Sequence, residues 1–191
     1  MSKHFVTPLL AFGVALGCQS AGAQAQAQAQ NPFMPITTAE GIPAAAAAIE
    51  DIRALVSSSA HRPPGAVTGI SGAPGPAGSA QAAREMTAVL AARLGLDTVT
   101  VATASRVCED ASRPGGSVRC RFRDAHDIMT AFAPKLEGDT AEVRVRVTVL
   151  SGSFLRSTDY QVTVVRSNAG WRATDRRYLV SASLSSDPPR R

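Results

Sequence analysis

Lysine, cysteine, histidine, aromatic side chains and long apolar runs are all scarce in this 191-residue chain. Three cysteines and three histidines occur, with no Cys-x-x-Cys pair and no histidine at ligand spacing, so a zinc framework is not expected. No apolar run reaches the roughly 18–20 residues of a membrane-spanning helix. Aromatics make up 5% and are not interleaved with the basic residues, which argues against a nucleic-acid partner. There is no Gly-x-Ser-x-Gly, His-Glu-x-x-His or P-loop motif, and no Gly-x-Gly-x-x-Gly after a strand, so nothing implies a cofactor or a familiar hydrolytic centre. What is present is 45% apolar residues against 18% charged, enough to build a core. The length suits one domain with tails. The formal net charge is +5, carried by 18 Arg and 2 Lys, an imbalance that fits a high-GC genome as easily as a function.

The N-terminus carries the most specific pattern. Lys3 precedes the apolar stretch Phe5–Gly17, and Ala21-Gly22-Ala23 places small residues where a signal peptidase reads them. This tripartite order predicts a signal peptide over 1–23 and an exported protein, periplasmic or extracellular. Ala15-Leu16-Gly17-Cys18 partly resembles a lipobox, which would anchor Cys18 to lipid. Ala15 stands where such motifs usually carry Leu, so cleavage after Ala23 is favoured. The Ala-Gln repeat from Ala23 to Gln30 has neither charge nor an apolar face, and Pro32 and Pro35 extend the run, so residues 24–42 are expected to form a disordered spacer. Either processing route leaves Cys108 and Cys120. In an oxidising compartment an even pair is expected to be bonded, here across the turn Arg113-Pro114-Gly115-Gly116.

Pro43 suits a first helical position. Ala44–Ala48 favour helix, and Ile49, Ile52, Leu55 and Val56 form one stripe, which predicts a helix over 43–58. Residues 61–80 hold four prolines and five glycines and are expected to be a linker, with Ala66–Ile70 as a short edge strand. A second helix follows, with Ser79 as its cap, Met86, Val89, Leu90 and Leu94 as its apolar stripe, and Gly95 as its stop. From residue 98 the period becomes two. Val99 and Val101 alternate, then Val118, Cys120 and Phe122, then Ile128, Thr130 and Phe132, with Pro134 marking an edge or a bulge. Val143, Val145, Val147 and Val149 alternate cleanly with Glu142, Arg144, Arg146 and Thr148. Tyr160, Val162 and Val164 continue the pattern, and Trp171 opens a last strand running to about Val180. Short turns make consecutive strands antiparallel neighbours. One face of each strand is apolar and the other charged, so helices should cover one face and water the other. The expected fold is α+β: two N-terminal helices packed on one face of a curved antiparallel sheet of about four to six strands, in a single domain over 43–184, with a disordered tail at 185–191.

The segment Tyr160-Gln161-Val162-Thr163-Val164-Val165-Arg166, a turn, and then Gly170-Trp171-Arg172-Ala173-Thr174-Asp175 resembles the closing hairpin of cystatin-like and nuclear-transport-factor-2-like domains, including those of exported bacterial proteins. The resemblance implies that fold. Its families range from enzymes to pure binding modules. The proline-rich insert at 61–80 departs from the usual order, and no family catalytic motif maps onto this chain.

Candidate chemistry is sparse. Asp124-Ala125-His126-Asp127 is the densest titratable cluster, where His126 could act as a general base with carboxylate partners; its place between two strands favours a solvated turn instead. His61 falls in the linker. Tyr160, Tyr178 and Asp175 could line a cavity, although Tyr160 and Trp171 are expected to be cross-strand core partners. Arg144, Arg146 and Arg172, with Arg176 and the row Arg119, Arg121, Arg123, would form a basic stripe on the wet face. Such a stripe could bind an anionic envelope component, a polysaccharide or lipid headgroups, or could be an ordinary charged face. The leading expectation is an exported binding or structural module rather than an enzyme; the alternative is a small cavity enzyme of the nuclear-transport-factor-2-like type.

Overall fold

The alanine run sits inside helix α1 (Ile42–Ser57), with Pro43 in its first turn, where the missing N–H is not needed. In the computed structural model the described residues are 33–59, 62, 65–104, 106–109 and 119–185. The segment expected to be a signal peptide, Cys18, the Ala-Gln repeat, His61, the turn expected at Arg113–Gly116 and the tail after Ser185 lie outside them. All five alanines of Ala44–Ala48 are buried, together with Ile42, Ile49 and Ile52. Side chains this short let the helix backbone lie close to the sheet it covers. Leu55 and Val56, at the other end of α1, are only half buried.

Helix α2 (Ala80–Leu94) ends as expected at Gly95, whose φ of +61° is a left-handed conformation that glycine adopts without penalty. Its start differs from expectation. Residues Ala77–Ser79 form a 3-10 turn that feeds directly into α2, so Ser79 already has near-helical backbone angles and its hydroxyl donates to the Pro76 carbonyl instead of capping.

Eight strands follow one another among the described residues: β1 (Val67–Ile70), β2 (Asp97–Thr98), β3 (Arg106–Glu109), β4 (Arg119–Ala131), β5 (Lys135–Glu137), β6 (Thr140–Gly152), β7 (Phe154–Ser167) and β8 (Gly170–Ser185). They form one sheet in the order β2-β1-β4-β6-β7-β8, with β3 added on β4 and β5 on β6. The α+β class holds, with more strands than expected. Every pairing among β3 to β8 is antiparallel. The exception to the expected meander is β1, which pairs parallel with both β2 and β4. The run β1–α2–β2 is therefore a crossover unit, so the sheet is mixed and the helices do not both precede it. Strand β1 is interior, not an edge, and the stretch expected to be a linker contains it. Gly69 makes this possible: a Cβ there would stand 2.6 Å from Val99 Cγ2, where the chain leaving β2 passes over β1.

The strand expected from residue 98 stops after Thr98. Thr100 and Thr103 exchange side-chain and backbone hydrogen bonds, and this local turn replaces a ladder before β3 begins. Conversely, β4 is one continuous strand where two were expected; a register irregularity between Phe122 and His126 takes the place of a connection.

The sheet face under α1 carries Val143, Val145, Val147, Val162, Val164, Met129 and Ala131, all buried. The opposite face is not uniformly wet. Ile128, Leu150 and Phe122 on that face pack with Ala104 and the half-buried Val99 and Val101. At the other end Phe132 is buried against Phe33, with ring centroids 5.3 Å apart and planes nearly perpendicular. The folded part thus begins at least as early as Phe33, within the segment expected to be a spacer: Ile36 joins the core, and the Ala133 N–H donates to the Met34 carbonyl. No helix among the described residues is long and apolar enough to cross a membrane.

Candidate functional site

Strand register builds a site under the C-terminal end of α1. Directly opposed residues of an antiparallel sheet share a face. Three lateral rows cross β4, β6 and β7 on the α1 side: Asp127–Val149–Arg156, Met129–Val147–Thr158 and Ala131–Val145–Tyr160. Above them stand Leu55 and Val56 of α1, then Ser58, Ser59 and Arg62 beyond its end. Between roof and floor lies a cavity of about 510 Å³. Its apolar surface comes from the leucine, the valines and Phe154, and its polar side chains are Ser58, Ser59, Arg62, Asp127, Arg156, Thr158 and Tyr160.

Asp127 is the most buried of those polar groups. Arg62 Nε donates to its Oδ2 at 2.6 Å, and Arg62 itself is fixed by Nη2 donating to the Ala66 carbonyl and the Thr68 hydroxyl. Asp127 Oδ1 is buried and has no hydrogen-bond partner among the described residues. A buried oxygen left in this state costs about 1–3 kcal/mol, more when charged. Arg156 lies at the exposed side of the cavity, its Nε donating to Ser181 Oγ at 3.0 Å. Thr158 shares a hydrogen bond with the same Ser181, and Tyr160 packs edge-on against Tyr178.

The Asp124–Asp127 cluster is not a solvated turn. It lies within β4, where successive side chains alternate between faces. Asp127 points under α1, half-buried His126 occupies the other face, and Asp124 is exposed, so no histidine–carboxylate constellation forms. Of the three residues expected around a cavity, Tyr160 lines it; Tyr178 is 60% exposed, and Asp175 is exposed beside Arg177. Tyr160 and Trp171 are not partners. The turn at Asn168-Ala169 sets the register, pairing Trp171 with Arg166 and Tyr160 with Tyr178. Arg62 and Arg156 were missed. Arg62 lies between His61 and Pro63-Pro64 in a stretch with no periodicity, whereas Arg156 continues the alternation of Tyr160 and Thr158 and was legible by that signal.

The expected basic stripe is broken up. Arg144 and Arg146 do lie opposite the α1 face, but both close on Asp159, itself buried. Arg146 donates through Nε at 2.7 Å and Nη2 at 3.0 Å, and Arg144 through Nη2 at 2.7 Å. The Arg144 guanidinium also lies 4.0 Å from the centre of the Phe33 ring. Burial pushes the Asp159 carboxyl up, yet the hydrogen bonds and charges of Arg146 and Arg144 outweigh it and hold the group below the usual carboxylate range. The same hydrogen bond raises Arg146. Arg172 is exposed farther along that face. Arg176 is on the α1 face, bonded to Asp51 at 2.9 Å, because a bulge between Thr163 and Val164 reverses the alternation of β8. Arg121 and Arg123 are exposed, and the Arg119 side chain lies outside the described part. Cys108 and Cys120 are directly opposed in the β3–β4 ladder; their side chains also lie outside it. Among the described residues no group of three or more His, Cys, Asp or Glu side chains could hold a metal ion. Compared with protein-family models, curated proteins and solved structures, the chain matches none.

Proposed function

We propose that the chain is an exported binding module whose ligand occupies the cavity under the end of α1. The observation that carries this reading is a 510 Å³ cavity lined by Asp127, a buried carboxylate whose Oδ1 has no hydrogen-bond partner among the described residues. A purely structural ion pair gains nothing from a half-satisfied carboxylate, whereas a ligand donor would complete it. The volume suits a small molecule. Export rests on the tripartite N-terminus, and the cystatin-like or nuclear-transport-factor-2-like assignment on the β7–β8 hairpin residues. The cavity-enzyme reading would need Tyr160 and Asp127 to act together, but they stand two strands and two lateral rows apart and His126 faces away, so binding is the better supported of the two.

Two substitutions test the site. Val149→Phe fills the floor, and Ser58→Trp blocks the exposed mouth. Native mass spectrometry of protein purified from its own envelope fraction should show a small-molecule adduct on the wild type and none on either variant. Equal adducts on all three, or none on the wild type, would overturn the reading.

We further propose that Cys108 and Cys120 are bonded. Directly opposed Cα atoms stand about 4.5–5.5 Å apart, within disulfide range. Thiol labelling of the mature protein should find no free cysteine without reductant. Reduction should lower the melting temperature by several degrees, from a loop contribution of about 3 kcal/mol.

A further inference from the structure

We infer that the ligand of this cavity is a monoanionic amphiphile carrying a neutral hydrogen-bond donor, a hydroxyl or amide N–H, at the end remote from its acid group. The inference rests on the cavity reading above and deepens it to a chemical class. Apart from the Tyr160 phenol, the ionisable groups lining the cavity are Arg62, Asp127 and Arg156, which sum to one positive charge. A ligand with one negative charge balances them.

Position assigns the two ends. Asp127 is buried and Arg156 exposed, and they flank Val149 in one lateral row. Two strand spacings place their Cα atoms roughly 9–10 Å apart. The acid group belongs at Arg156. Ser181 occupies Nε of that guanidinium, and its terminal nitrogens suit a carboxylate that keeps part of its hydration. The donor belongs at Asp127 Oδ1, which has almost no accessible surface in this structure and is reached by a small rotation of the carboxylate as the ligand enters. Between them Val149, Val147, Leu55 and Val56 offer apolar surface, and the Thr158 hydroxyl is already hydrogen-bonded to Ser181. An ammonium would fit the inner end poorly. Arg62 already stands 2.6 Å from the same carboxylate, so a second buried cation would face the guanidinium with no further counter-charge. A hydroxyl or amide N–H completes the carboxylate and adds no charge.

Calorimetric titration of the mature wild-type protein with four chains of matched length tests this. The probes are 8-hydroxyoctanoate, octanoate, 1,8-octanediol and 8-aminooctanoate. The hydroxy acid should bind tightest, with the other three each about tenfold weaker or worse. Arg156→Gln, at an exposed position, should weaken the hydroxy acid about tenfold and leave the diol unchanged. The donor end is tested by the ligand series alone, so it does not depend on how an Asp127 variant folds. Octanoate or aminooctanoate binding as tightly as the hydroxy acid would overturn the inference. So would Arg156→Gln weakening acid and diol alike. If the probes bind without preference and Val149→Phe abolishes binding, the ligand class is wrong and the cavity reading survives. If no probe binds, the ligand class falls while the adduct experiment still decides the cavity reading. If the probes bind equally to wild type and Val149→Phe, the cavity reading falls as well.

Discussion

Two buried aspartates lie on opposite faces of the same sheet, and each is held by arginine, yet only one is complete. Asp159 accepts hydrogen bonds at both oxygens from two guanidiniums, under the cover of Phe33. Asp127 accepts one, from Arg62; its other oxygen is buried without a partner among the described residues, and the residue lines the cavity. The difference teaches that equal burial does not mean equal pairing: the Asp159 carboxylate is satisfied at both oxygens, with the orphan atom of its cluster on Arg144 Nε, whereas at Asp127 the orphan is on the carboxylate itself.

The largest effect should come from the closed site. Asp159→Ala leaves Arg144, whose side chain is only 19% exposed, without its counter-charge, and should cost about 3–5 kcal/mol in urea unfolding. Asp127→Ala should cost less, about 1–2 kcal/mol, because Arg62 keeps its bonds to Ala66 and Thr68 and an unsatisfied oxygen is removed with the side chain. The reverse order would make Asp127 the structural member of the pair. A pH series of melting curves sharpens the contrast. The Asp159 carboxyl is held below its ordinary range, so its contribution is fully present above the unfolded value of about 3.9 and is lost as pH falls toward the depressed folded value. In Asp159→Asn that part of the acid limb should flatten. Smallest of all, Arg172→Gln should change stability by no more than about 0.5 kcal/mol, since this exposed arginine belongs to neither site.

Much of this architecture was legible in the residue pattern. The helical stripe of Ile49 and Ile52, the stop at Gly95 and the valine alternation of β6 each carry a periodicity that packing preserves. The crossover through β1 was hidden because Val67–Ile70 is only four residues long and contains a glycine, so its role depends on how Val99 packs and not on its own sequence. Asp127 was hidden by its neighbours. Asp124-Ala125-His126-Asp127 has the composition of a turn, and the ladders of His126 and Asp127 to β6 and β1 keep it extended. Arg62 carried no signal at all, since its partner is 65 positions away. The arginines of β6 were correctly placed on a face, but the sheet register was needed to show that a single aspartate faces both.

The alanine run of α1 acts as a fulcrum. Ala44, Ala45 and Ala48 have no exposed surface, so any added methyl group must push the helix off the valines beneath it. Ala45→Val should therefore carry the usual overpacking cost of about 1–3 kcal/mol. The same displacement would swing the far end of the rod, where Leu55 and Val56 roof the cavity. The width of the cavity is thus governed by the smallest side chains in the helix, about two to three turns away from its roof.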